Sequence, residues 1–154
     1  MSHLKQKLSD DIKAAMLSKD ALRLETLRGL KSVILYEEVA KGKRDVGLED
    51  EAILQLLAKE SKKRVESAEL YIRGGAEERA QKELTEKEII DSYLPEQMTD
   101  EALHAVVDRV FAEIRPEGMQ QMGQVIGKVK AEVGNSADGA KIAQFVKEKL
   151  QWYY

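Results

Sequence analysis

Apolar side chains return every three or four positions along almost the whole chain, the period of a helix with one buried face. Leu4, Leu8, Ile12, Ala15 and Met16 share one face of a first predicted helix, which ends near Lys19. Asp20 can cap a second, which carries Leu24, Leu27, Leu30, Ile34 and Val39. Its apolar surface is broad, so it is expected to be the most buried helix of the first half. Gly42 and Gly47 bracket a polar connection, Lys41 to Leu48, expected to be mobile. A long third helix is predicted from about Glu49 to Arg73, stopped by Gly74-Gly75. A fourth runs from about Ala76 to Tyr93 and halts before Leu94-Pro95, because the residue before a proline is pushed out of the helical region.

The second half is punctuated more sharply. Thr99 is a good N-cap, and Leu103, Val106, Val107, Val110, Phe111 and Ile114 follow at helical spacing until Pro116 and Gly118. Met122, Val125, Ile126, Val129 and Val133 stripe a sixth helix that stops at Gly134-Asn135. Asp138 caps a seventh, bearing Ile142, Phe145, Val146 and Leu150. There is no repeat of fixed period and no low-complexity tract. The pattern predicts an all-α protein in two helical subdomains, a four-helix part over residues 1–94 and a three-helix part over 95–154.

Composition narrows the classes. Two prolines and 5% aromatics argue against an all-β chain. Cysteine is absent, which removes disulfides, thiolate nucleophiles and thiolate metal sites, and fits a reducing compartment. The N-terminus runs Met1-Ser2-His3-Leu4-Lys5-Gln6-Lys7 into charged helix with no apolar segment, so a cytoplasmic protein without a membrane partner is expected. Net charge is −3 over 154 residues. Residues 1–94 hold 18 Lys/Arg against 19 Asp/Glu and residues 95–154 hold 7 against 9, so neither half is basic. A general nucleic-acid binder needs a concentrated positive surface, so any such surface here must be local, and DNA is not an expected partner.

Catalytic chemistry is not written in the chain. His3 and His104 sit far apart, with neither H-x-x-x-H nor H-x-x-E spacing, and read as surface residues. No glycine-rich phosphate loop is present. The carboxylate runs Glu37-Glu38, Glu49-Asp50-Glu51 and Glu77-Glu78 lie at helix starts or on polar faces. No catalytic residue, cofactor site or metal site is therefore assigned.

Three features stand above that background. Lys59, Lys62 and Lys63 share a face of the third helix and form a local positive ridge; the plainer reading is a solvated face with Glu60–Arg64 and Lys62–Glu66 pairs. The apolar stripe thins from Leu57 to Val65, which suggests that this stretch projects away from a core. On the sixth helix, Gly123 and Gly127 each cost roughly 1 kcal/mol relative to alanine, so they ask for a reason. With Lys130 they line up beside the apolar stripe, a bare strip that admits either a neighbouring helix or a sugar–phosphate backbone. Third, Ala137-Asp138-Gly139-Ala140-Lys141 opens the last helix. A helix N-terminus attracts phosphate but the capping carboxylate repels it, which leaves Lys141 as the possible contact.

The run from Met122-Gly123 through Lys130, then Gly134, Ala137-Asp138-Gly139, Val146-Lys147 and Leu150, resembles the C-terminal signature of the YqeY family. That family is related to the tail region of the tRNA-holding subunit in the tRNA-dependent aspartyl/glutamyl amidotransferase. Leu24, Leu27-Arg28, Leu30-Lys31-Ser32, Lys59-Glu60, Lys62-Lys63-Arg64, Tyr71, Gly74-Gly75 and Tyr93-Leu94-Pro95-Glu96-Gln97 extend the resemblance over the first half. Trp152-Tyr153-Tyr154 runs past it, as aromatics that pack back on the bundle or anchor a partner. The resemblance implies two helical subdomains and a link to transamidation of mischarged tRNA, a carbon–nitrogen ligation with glutamine as nitrogen donor. In that enzyme the tail holds tRNA while other regions do the chemistry, and nothing in this chain resembles those regions. What carries over is a tRNA-facing surface of Gly123, Gly127, Lys128, Lys130, Asp138, Gly139 and Lys141. The alternative is a module that docks on a protein, such as an amidotransferase component, through the same strip or Trp152.

Overall fold

The structure, a computed structural model, describes residues 2–153. Among them seven α-helices follow one another: α1 (His3–Ser18), α2 (Ala21–Ala40), α3 (Asp50–Arg73), α4 (Glu77–Asp91), α5 (Asp100–Ile114), α6 (Met122–Val133) and α7 (Gly139–Tyr153). Short 3-10 turns at Met119–Gln121 and Gly134–Ser136 flank α6, and no strand occurs among the described residues. The protein is all-α. Two compact units divide it, Met1–Leu94 and Pro95–Tyr154.

Local chemistry places the helix ends of the first unit. The Ser2 hydroxyl accepts from the Lys5 amide at 3.2 Å, and Asp20 accepts from the Arg23 amide at 3.1 Å, so each helix starts on a side-chain cap. Lys19 closes α1 in the left-handed region at φ 58°, which turns the chain directly into α2. Gly75 takes φ 77° between α3 and α4, a conformation a β-carbon would strain. Leu8, Leu27, Leu30, Ile34, Ile53, Leu57 and Ile90 form the core. Buried Tyr93 joins it, and its hydroxyl donates to the Asp11 carboxylate while the Lys7 ammonium stands 4.6 Å over its ring.

Three expectations about this unit change. Met16 is 52% exposed and Val39 55%, so neither belongs to the buried face on which the periodicity placed it. Helix α2 is not simply the most buried helix: it buries Thr26, Leu27, Leu30, Ile34 and Glu38 and turns a second apolar face outward. The stretch of α3 beyond Leu57 does not project from the protein. It packs on α4 through polar contacts, with Glu60 and Ser61 buried, the Ser61 hydroxyl donating to Asp91 at 2.5 Å, and the Arg64 Nε 2.9 Å from Glu86. A polar interface leaves no apolar period to read, which is why the stripe thins there.

The connection after α2 is tied down as well. The buried Glu38 carboxylate accepts from the Leu48 amide and from the Lys5 ammonium, each at 2.8 Å, and the Gly47 amide donates to the Lys43 carbonyl at 2.7 Å. Gly42 and Gly47 supply its positive φ angles, 65° and 81°.

In the second unit Leu103, Val107, Val110, Val125, Val129, Ile142, Val146 and Leu150 make a fully apolar core. Thr99 caps α5 by accepting from the Ala102 amide at 3.1 Å, and Asp138 accepts from the Ala140 amide at 3.0 Å at the start of α7. The amide of Met98 donates to the Ser136 carbonyl at 2.8 Å, which fixes the entering chain beside the α6–α7 connection.

Candidate functional site

Helix α6 carries the site. Its buried edge, Val125 and Val129 with half-buried Met122, Ile126 and Val133, locks it between α5 and α7. At about 100° per residue, Gly123, Gly127 and Lys130 fall within about 60° of one another beside that edge. All three are exposed. A β-carbon built on Gly123 or on Gly127 would meet nothing within 4 Å. Both positions have ordinary helical backbone, so neither a close approach inside the unit nor a positive φ explains a glycine there. What remains is an open stretch of helix backbone, one turn long, kept bare at a cost of roughly 1 kcal/mol per glycine.

The charged neighbours differ in how they are held. Lys128 pairs with Glu113 of α5, and Lys141 reaches Asp100 at 2.5 Å, so both ammoniums are drawn onto carboxylates. Lys130 instead reaches toward α7, with its Nζ and Cε each 3.4 Å from where a Gly139 β-carbon would stand. Gly139 therefore leaves room for the Lys130 stem to lie against the first turn of α7, beside the Asp138 cap. Glu132, on the same helix, is engaged by Arg109, and that guanidinium holds its carboxyl below the usual range. The structure thus brings together a bare strip, one lysine at its edge and a second helix terminus. No group of three metal-ligating side chains occurs among the described residues.

The remaining sequence candidates lie elsewhere. Lys59, Lys62 and Lys63 are exposed on α3, in the other unit. Lys63 is 3.1 Å from Glu60 and Arg64 3.9 Å from the same carboxylate, so part of this ridge is spent on local pairing. His104 is a surface residue stacked on Phe145, with ring centroids 3.9 Å apart and planes at 8°. Trp152 is 89% exposed at the end of α7, so it does not fold back on the bundle. Sequence reasoning missed the paired state of Lys128 and Lys141, whose carboxylates come from α5 and carry no spacing signal relative to them.

No helix of the described residues is long and apolar enough to cross a membrane. Among known proteins the chain is 31% identical over 125 residues to Altered inheritance of mitochondria protein 41, mitochondrial, of Kluyveromyces lactis, covering 79% of this chain and 66% of that one. To the protein of the same name in Eremothecium gossypii it is 33% identical over 94 residues, 61% of this chain and 48% of the other. In Lachancea thermotolerans the figures are 38% over 88 residues, with 56% and 46% covered. The chain therefore spans between 46% and 66% of the length of the curated relatives it matches. All three are named as mitochondrial proteins, and this overturns the cytoplasmic placement expected from a charged N-terminus with no apolar segment. Residues 5–150, spanning both units and the open strip of α6, match the Yqey-like protein family, and the chain belongs to it.

Proposed function

We propose that this protein is a non-catalytic accessory module that grips structured tRNA through the bare strip of α6, in a system related to glutamine-dependent tRNA transamidation. The observation that carries the reading is the empty space over Gly123 and Gly127. Side chains on a helix hold a ligand at arm's length, whereas two glycines one turn apart let a sugar–phosphate backbone approach the helix itself. Lys130 stands at the edge of the strip to meet a phosphate, and Gly139 makes room for its stem; Lys128, Lys141 and Asp138 are the further contacts in this reading. Unit charge is unfavourable overall, with 7 basic and 9 acidic residues over 95–154, so recognition is by shape with few phosphate contacts. Modest affinity with a shallow salt dependence follows.

A gel shift with unmodified tRNA tests this. The double variant Gly127→Leu with Lys130→Glu should lose the shifted band while circular dichroism stays unchanged; a retained shift would refute the surface.

A second reading is favoured by Trp152. An aromatic ring 89% exposed at a helix end is an efficient anchor for a protein partner, such as an amidotransferase component. Nuclease treatment of a pull-down separates the two: recovery through RNA vanishes, and recovery through protein persists.

A further inference from the structure

Helix α2 has two faces. Leu27, Leu30 and Ile34 are buried at no more than 2% exposure, while Leu35, Tyr36 and Val39 stand 46%, 78% and 55% exposed. Arg28, Ser32, Leu35 and Val39 are spaced i, i+4, i+7 and i+11, which places them within about 60° on the outward side. Tyr36 widens the stripe by one position. At its N-terminal end the guanidinium of Arg28 lies 3.8 Å from the sulfur of exposed Met16 on α1. The apolar part of the stripe, Leu35, Tyr36 and Val39, spans just over one turn, on which the apolar anchors of a partner helix can seat.

Charge selects among occupants. Arg28 and Lys31 flank the stripe, and Lys43 and Arg44 follow its C-terminal end, all exposed. Of the nearby carboxylates, Glu38 is buried and engaged by Lys5 and Glu37 is paired with Lys41, which leaves exposed Glu25 and Asp45 against these four cations. This face is locally cationic on a chain whose net charge is −3. A second copy would set the same cationic rim against itself, which disfavours self-association. Tyr36 is the one ring on this face on which an RNA base could stack, too little for a single-strand platform, and three apolar side chains are little area for insertion into a bilayer.

We propose that the outward face of α2 docks an acidic amphipathic helix of another protein, its apolar stripe on Leu35, Tyr36 and Val39 and its carboxylates on Arg28 and Lys31. This surface lies in the first unit and stands independently of the α6 strip.

The test uses the full chain and a fluorescein-labelled, helix-length designed peptide with leucines at i, i+3, i+4 and i+7 and glutamates on both flanks. A twin peptide with lysine in place of each glutamate, phosphatidylglycerol vesicles and unmodified tRNA are the comparison ligands. The acidic peptide should bind, and Leu35→Glu and Arg28→Glu should each weaken it by roughly tenfold or more. The lysine twin should not bind, and amide shifts in the NMR spectrum of the wild-type chain should cluster on α2. Equal binding of the two peptides would overturn the proposal, as would full binding by both variants. So would loss of vesicle or tRNA binding in Leu35→Glu with the acidic peptide unaffected. Should either variant lose its helical spectrum, the wild-type shift map decides alone: shifts away from α2 reject the docking face.

Discussion

The Lys5 ammonium sits 2.8 Å from the Glu38 carboxylate, which is itself buried and also accepts from the Leu48 amide. One carboxylate thus joins the first turn of α1, the end of α2 and the chain entering α3. Burial alone would raise the Glu38 pKa, but the ammonium and the amide outweigh it and hold the group below its ordinary value of 4.5. A carboxyl depressed on folding contributes stability above its unfolded pKa and loses it as pH falls through the folded value. Thermal stability should therefore decline on acidification below about pH 4.5. Lys5→Met should cost about 1–3 kcal/mol at neutral pH, since it leaves the buried carboxylate short of a partner. Urea denaturation at pH 7 and pH 4 checks both.

Arg64 provides the contrasting case. Its Nε is 2.9 Å from Glu86 and 3.7 Å from Glu83, and Glu60 lies 3.9 Å from its Nη1. Burial raises the Glu86 pKa, with Arg64 opposing and Glu83 adding to the rise. Here the sign reverses: a carboxyl raised on folding weakens the fold when ionised, and acid relieves it. Glu86→Gln should leave stability at pH 7 unchanged or slightly higher. Arg64→Met should lower it by about 2 kcal/mol, less than for a fully buried pair because a quarter of that side chain meets solvent. Equal destabilisation by the two variants would contradict this assignment of charge within the cluster.

The glycines of α6 offer a cleaner thermodynamic test. Their β-carbon positions are empty and their backbone is helical, so alanine fits both. Gly123→Ala and Gly127→Ala should each raise stability by about 0.5–1 kcal/mol. A loss of stability in either would mean that packing inside the unit, not an external ligand, demands the glycine.

Much of this fold is legible in the residues themselves. Asp20, Thr99 and Asp138 mark helix starts because a capping side chain is a local device, complete within three residues. The core of the second unit follows from spacing alone, since α5, α6 and α7 each bury a single stripe. Helix α2 misleads because it has two apolar faces, and periodicity cannot say which one meets the core. The middle of α3 misleads for the opposite reason: Glu60, Ser61 and Arg64 bury polar groups against partners on α4, and only the fold brings those partners near. At the candidate site, the bare strip can be read from two glycines four apart, but Lys130 against Gly139 cannot, because it joins two helices.

Trp152 is the one tryptophan and is 89% exposed, so it reports on its own surroundings without interference. Its emission should lie at the red, water-exposed limit and be fully accessible to acrylamide. A blue shift on adding a candidate protein partner would place that partner on the end of α7. No change on adding tRNA is expected from contact at the α6 strip.

The affinity of Gly127→Leu for unmodified tRNA, followed by fluorescence anisotropy at low salt, tests the central claim most directly. A leucine there enters open space, so the fold should hold, and its bulk should keep the nucleic-acid backbone off the helix. Binding weakened by roughly tenfold or more, with undiminished thermal stability, is the predicted result. Wild-type affinity in a fully folded Gly127→Leu protein would contradict it.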